Sequence, residues 1–224
     1  LTPCPYATLF RSNDLAKQRL SNYPYRFDMR SAELFCEFAE MMPHVKGKKW
    51  VGTNVILEPW QCFIWCNIFG WLRKSDNLRR FRELYAEIPR KNTKSMMGAI
   101  AGNYMFVADD EPGAEVYSGV TTLKQAPEIF RPAWSMKSKL AEYLDSFGIE
   151  LGGTDKNPGN IYSMESSSRF EAVVGQPGDG ASVHCGLVDE YHEHPNDTLF
   201  DCLSTGTGAR TQPLILTLTT AGTD

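Results

Sequence analysis

The chain has 224 residues, 42% of them hydrophobic and 22% charged, with a formal net charge of −4. That balance excludes a disordered tail, a collagen-like repeat and a disulfide-dense miniprotein, and no stretch of about 18 apolar residues is present to cross a bilayer. It also excludes an overall basic field, so any contact with DNA has to be local or made by another part of the protein. The length predicts one domain with a substantial core, and no basic-then-apolar leader pattern opens the sequence at Leu1. Six cysteines (Cys4, Cys36, Cys62, Cys66, Cys185, Cys202) without a CxxC pair predict buried thiols in a reducing compartment. Cys62 and Cys66 fall one helical turn apart, but two ligands do not make a zinc site.

The first 30 residues are polar, broken by Tyr23-Pro24-Tyr25, and predict an irregular lead-in. Ala32 to Met41 carries Leu34, Phe35, Phe38, Met41 and Met42 at helical spacing and stops before Pro43. Lys46-Gly47-Lys48-Lys49 predicts a solvated basic turn. Pro59 opens a bulky amphipathic helix over Trp60 to Leu72, ending near Lys74. The basic turn from Arg73 to Arg82 leads into a period-two strand over Phe81 to Ile88.

A polar loop from Pro89 to Ser95 then precedes a small-residue helix over Ser95 to Ala108. Asp110-Glu111-Pro112-Gly113 reads as a turn, Ala114 to Val120 as a strand, and Lys124 to Phe147 as a long helix. Short strands follow at Gly148 to Leu151, Gly159 to Met164 and Phe170 to Val174. A buried strand over Val183 to Val188 runs into Asp189-Glu190. A helix near Asp197 to Leu203 and a strand over Leu214 to Thr219 complete the pass. Strands alternating with helices predict an α/β domain with a mainly parallel central sheet flanked by helices.

Two motifs carry the chemistry. A strand, a short loop ending in Lys94-Ser95 and a helix make a phosphate cradle: backbone N–H groups and the helix dipole face the anion. Lys94 would neutralise β- and γ-phosphate charge, and the Ser95 hydroxyl would ligate Mg²⁺. The match to G-x-x-x-x-G-K-[ST] is incomplete, because Ile88 and Thr93 stand where the glycines belong, and a basic helix cap is the competing reading. The second motif is the apolar strand ending in Asp189-Glu190. Asp189 would hold Mg²⁺ and Glu190 would act as general base; an ordinary acidic pair at a sheet edge is the competing reading. Both motifs end apolar strands, and ligands of such sheets bind at the carboxyl ends of the strands, so one crevice can receive both.

With these motifs in place, the chain resembles the ATPase domain of the large terminase subunit, the DNA-packaging motor of tailed bacteriophages. The resemblance runs from about Phe27 to Asp224. It rests on Leu57-Glu58-Pro59-Trp60-Gln61, Phe69-Gly70-Trp71, Ile88 to Ser95, Asp110 to Ser118, Leu187-Val188-Asp189-Glu190 and Thr219-Thr220-Ala221-Gly222. It implies a P-loop NTPase fold of the additional-strand catalytic glutamate type. A single N-terminal ATPase domain would span 1–224, with an arm and helix to about residue 50 and a nucleotide-binding core from about 51. The family's nuclease domain is expected to be absent from this chain, and nuclease activity with it.

The resemblance also implies roles. Arg90, Lys91, Asn92, Thr93, Lys94 and Ser95 form the ATP-phosphate loop, with Arg90 reaching the γ-phosphate in cis. Gln61 reads the adenine edge, while Trp60 reads as core rather than as a stacking residue. Ser95 and Asp189 hold Mg²⁺, Glu190 is the base, and Thr220 belongs to the coupling motif that senses the γ-phosphate. Arg169 is the candidate arginine acting in trans, with Lys156 as alternative. Implied partners are double-stranded DNA, the portal protein, the small terminase subunit and further copies in a ring, without a membrane. The implied place of action is the host cytoplasm, at the procapsid portal and not in the mature virion. Another P-loop translocase or helicase-like ATPase remains an alternative. A further one is a metal-binding module around His184, Cys185, His192 and His194.

Overall fold

The computed structural model describes residues 12–120, 127–140, 148–175, 177–178 and 180–220. Cys4, the outer parts of the expected 124–147 helix and the Ala221-Gly222 end of the coupling motif lie outside these residues. The chain divides into two compact units, one of residues up to Met42 with Asn54–Arg82, the other of Pro43–Thr53 with the chain from Glu83 on.

The first unit contains α1 (Ser12–Lys17), β1 (Tyr25–Phe27), α2 (Met29–Met41), α3 (Pro59–Gly70) and β2 (Trp71–Arg73). Asp28 starts α2 by accepting a hydrogen bond from the Ser31 N–H at 2.9 Å. Phe35 of α2 stacks on Phe69 of α3 with ring centroids 4.3 Å apart and also meets Trp65, which joins the two helices through one aromatic core. From Ser12 on, the lead-in is more ordered than its polarity suggests. β1 pairs antiparallel with β2, Phe27 opposite Trp71, and Arg80 packs over the Tyr25 ring while bonding the Tyr23 hydroxyl. The helix expected to run to Leu72 therefore stops at Gly70, because Trp71 and Leu72 turn into the strand that β1 needs.

The second unit holds β3 (Glu83–Ile88), α4 (Lys94–Val107), β4 (Glu115–Val120), α5 (Pro127–Lys139), β5 (Ile149–Gly153), β6 (Pro158–Ser163), β7 (Ser168–Val174), β8 (Val183–Asp189), α6 (Thr198–Thr205) and β9 (Leu214–Thr220). The sheet order is β3-β9-β8-β4-β7-β6-β5. The first five of these strands run parallel, and β6 and β5 add an antiparallel margin. β9, last in sequence, lies between β3 and β8. That inserted strand separates the loop-bearing strand from the acidic strand, as expected of the additional-strand P-loop NTPase fold.

The alternation of β8 shows how the layers form. Leu187 faces α4, where a Cβ on Gly102 would approach its Cδ1 to 2.8 Å; Gly186, one residue earlier, faces Leu203 of α6. Neighbouring residues of a strand point to opposite faces, so α4 and α6 cover opposite sides of the sheet. Gly98 and Gly102 sit one turn apart on α4, and side chains there would collide with Leu218, Ile129, Phe170 and Leu187. The small-residue helix thus lies close against the strands, and its first turn is fixed at their carboxyl ends. α5 spans Pro127–Lys139 within the long helix expected; it docks on α4 through Asn103, whose side-chain amide donates to Ala133 O at 3.2 Å.

Candidate functional site

The loop from β3 to α4 is built without glycine, yet it uses glycine's backbone. Lys91 and Thr93 both adopt left-handed conformations, with φ of 66° and 59°. For a β-branched residue this costs on the order of 1–3 kcal/mol. Both strained residues lie in the segment that has to curl around an anion. Asn92 steadies the curl by donating to the carbonyls of Pro89 and Arg90 at 3.2 and 3.3 Å. Arg90, Lys91, Asn92 and Thr93 are exposed, whereas Lys94 is buried at the first position of α4.

Lys94 points to the other two strand ends. Its ammonium lies 2.6 Å from Glu190 Oε1 and 3.5 Å from Asp189 Oδ1, and it donates to Thr220 Oγ1 at 2.8 Å. The Thr220 hydroxyl in turn donates to Glu190 Oε2 at 2.8 Å. The Ser95 hydroxyl donates to Asp189 Oδ2 at 3.3 Å. The Lys-Ser pair, the Asp-Glu pair and the threonine end of β9 thus converge, although 94 residues separate Ser95 from Asp189 in sequence.

The two carboxylates differ in character. Burial pushes the Asp189 carboxyl above its usual range, against the attraction of Lys94. Burial also acts on Glu190, but the hydrogen bonds from Lys94 and Thr220 outweigh it and hold that carboxyl below its usual range. Lys94 is closer to Glu190, and Glu190 retains 35% side-chain exposure against 5% for Asp189. The surroundings thus shift the two neighbouring acids in opposite directions. The donor set of the Ser95 hydroxyl and the Asp189 carboxylate is hard oxygen, which suits Mg²⁺ with water completing its shell.

The other sequence-derived residues lie apart from this cluster or in the other unit. Gln61 belongs to the first unit, is buried, and accepts a hydrogen bond from the Glu58 N–H at 2.8 Å, closing the start of α3. Trp60 is 38% exposed, not the core residue expected. Arg169 sits at the start of β7, opposite Glu115 at the start of β4. It donates to the Tyr117 hydroxyl at 2.6 Å and pairs with Glu115 at 3.2 Å and Glu171 at 3.7 Å. Glu115 is also in register with Val183, and from Val183 to Asp189 β8 climbs about 20 Å, so Arg169 occupies the opposite end of the sheet from Lys94. Lys156 is exposed in the turn between β5 and β6, its carbonyl accepting from Arg131.

The histidines do not form a metal module. His184 is fully buried and donates from Nε2 to Asp109 at 2.8 Å. His192 Nδ1 shares a 2.8 Å hydrogen bond with Thr219 Oγ1, and His194 Nε2 donates to Asp189 O at 3.0 Å. Among the described residues no group of three or more His, Cys, Asp and Glu stands together to hold an ion. The His192–Thr219 contact has no signal in the sequence, where His192 stands out only as a metal ligand.

Comparison with known proteins agrees with this fold. The chain is 60% identical over 62 residues to protein YmfN of Escherichia coli, covering 28% of this chain and 14% of that protein. Its fold is similar to the large terminase of bacteriophage HK97, with a TM-score of 0.66 and 19% identity over 84% of this chain and 37% of that one. It is also similar to a variant of the large-terminase ATPase domain of a Thermus phage, with a TM-score of 0.50 and 17% identity over 65% of this chain and 62% of that one. The chain therefore spans well under half of YmfN and of the HK97 protein. A family model for the ATPase domain of the terminase large subunit matches residues 59–224, a span that includes the phosphate loop, the acidic strand and the threonine end of β9. The chain belongs to the terminase large subunit ATPase domain family.

Proposed function

We propose that the chain hydrolyses ATP with Mg²⁺ at the Lys94–Asp189–Glu190 site and that this hydrolysis drives double-stranded DNA into a viral procapsid. The observation that carries the reading is the meeting of Lys94, Ser95, Asp189, Glu190 and Thr220 at the carboxyl ends of β3, β8 and β9. The N–H groups of the 89–95 loop and the start of α4 receive the phosphates. Lys94 leaves Glu190 for the β- and γ-phosphates, and Arg90 adds charge on the γ-phosphate from the same loop. Ser95 and Asp189 would hold Mg²⁺, whose positive charge would offset the charge that develops on the phosphate. Glu190, released from Lys94, accepts a proton from water as the water oxygen bonds to the γ-phosphorus and the bond to the departing ADP oxygen breaks.

Thr220 bonds both Lys94 and Glu190, so it is suited to register the change of partner. Gln61 is assigned the adenine edge, and Arg169, or Lys156 in its place, the neighbouring copy's transition-state charge. Partners of the assembled motor are the DNA, the portal protein, the small terminase subunit and further copies of this chain, acting in the host cytoplasm at the procapsid portal. A helicase-like role would use the same site chemistry, but the family match favours packaging. The test is a calorimetric titration of MgATP into the parent chain and into Lys94→Ala. Removing the ammonium should weaken binding by about 100-fold or more, the scale of an uncompensated charge. Equal affinities would remove Lys94 from the site.

A further inference from the structure

The turn after Glu190 carries a side chain that the proposed mechanism does not use. Glu190 has left-handed backbone, φ 48°, and Tyr191–Glu193 then forms a 3-10 turn that folds the chain back along the sheet. A single 3-10 turn has poor hydrogen-bond geometry and does not hold a strained residue by itself. External contacts fix it. Tyr191 packs edge-on against Tyr85 of β3 and Phe200 of α6, and its hydroxyl donates to Asp197 at 2.6 Å. His194 bonds the Asp189 carbonyl at 3.0 Å. His192 reaches β9: its Nδ1 lies 2.8 Å from Thr219 Oγ1 and 3.5 Å from Glu190 Oε2.

Consecutive threonines of β9 therefore hold Glu190 in two ways. Thr220 bonds the carboxylate itself, together with Lys94, and both of those contacts have to change when phosphate draws the ammonium away. Thr219, almost fully buried, bonds the turn that carries the carboxylate, through a group with no part in that exchange. We infer that His192 is a positioning residue: its bond to Thr219 keeps Glu190 aimed at the attacking water once Lys94 has left, and makes the base follow the end of β9. The inference rests on the reading of Glu190 as the general base. Its distinguishing consequence is a loss confined to turnover, because neither His192 nor Thr219 is among the groups proposed to touch phosphate or Mg²⁺.

The experiment measures steady-state ATP hydrolysis and equilibrium binding of a fluorescent ATP analogue for the full chain, at a concentration where the parent is active. His192→Ala is expected to lower kcat about tenfold to a hundredfold, a fraction of what a base supplies, with KM and analogue affinity within about twofold. His192→Asn, whose side-chain amide nitrogen can take the place of Nδ1, should recover most of the rate. Thr219→Val should match His192→Ala, and the double variant should be no slower than either single one, as for two halves of one contact. The inference is overturned if His192→Ala keeps the parental kcat, if its analogue affinity falls in step with kcat, if Asn fails to rescue, or if the two losses multiply. Hydrolysis undiminished in Glu190→Gln would instead overturn the reading of the base, and the role of His192 with it.

Discussion

The two ends of the central sheet each hold a cation between two carboxylates and a hydroxyl, and they use the same chemistry to opposite effect. At the carboxyl end, Lys94 meets Asp189, Glu190 and Thr220. At the amino end, Arg169 meets Glu115, Glu171 and Tyr117. The second cluster sits on paired strands, with Arg169 directly across from Glu115 in the ladder. Its members are held by regular backbone, and the arginine side chain keeps 46% exposure. The first sits on loops and strand ends that include Lys91, Thr93 and Glu190, all in left-handed conformations, and its lysine is almost buried. A regular ladder fixes partners, whereas strained loops leave them free to be exchanged for a ligand.

The sharpest way to break this contrast is to remove the exposed cation. In the assembled motor Arg169→Ala should lower ATP turnover by about 10³-fold, the lower end of what an arginine supplied in trans contributes, and should leave MgATP affinity of the dilute chain intact. Measuring turnover against subunit concentration checks both parts. A parental rise of activity with concentration in Arg169→Ala would return that cluster to a purely structural role and make Lys156 the next residue to test.

A smaller effect separates recognition from catalysis in the other unit. Gln61→Ala should weaken ATP more than GTP by about 1–2 kcal/mol, the scale of a hydrogen-bonded recognition group. It should also lower Tm slightly through loss of the bond that closes the start of α3. Competition titrations with the two nucleotides read the first part. Equal losses for both would make Gln61 a structural residue.

The smallest effect concerns stability, and its sign differs between the clusters. Burial raises the Asp189 carboxyl, so between the unfolded value and the raised one the folded chain holds a proton the unfolded chain has lost. Stability then falls as pH rises through that window and stays reduced above it. Glu115 is the reverse: burial opposes its charge, but bonds from Tyr117 and the Ser182 N–H, with Arg169 nearby, hold it below its ordinary value. Its contribution is present above the unfolded value and disappears as pH falls through the folded one. Asp189→Asn should therefore raise Tm at pH 7 and Glu115→Gln should lower it, each by the equivalent of about 1 kcal/mol or less. Thermal melts at pH 7 and pH 4 decide it, because both differences should shrink at the lower pH.

Much of the sheet was legible in the sequence because burial leaves a period. In β3, Glu83, Tyr85 and Glu87 are exposed while Ala86 and Ile88 are buried. β8 and β9 are apolar throughout most of their length because both of their faces are covered. The convergence of Lys94 and Asp189-Glu190 followed from the rule that parallel strands present their carboxyl ends together. The β1–β2 pair was not legible: three residues a side carry no measurable period, and the apolar run from Trp60 to Leu72 fits one helix better than a helix and a strand. Nor was the His192–Thr219 bond, which joins residues 27 apart through a turn whose direction depends on the left-handed backbone of Glu190. Local pattern fixes where a strand ends; it does not reveal how a short turn returns to its neighbour.

The central claim is that the carboxyl-end cluster is a hydrolytic site whose base is held by Lys94 until phosphate takes its place. Single-turnover hydrolysis by Glu190→Gln, alongside its MgATP affinity, tests it most directly. The expected result is an affinity within about twofold of the parent and a rate lower by about 10²–10⁴-fold, the contribution of a positioned base. Hydrolysis at the parental rate with Gln at this position would contradict it.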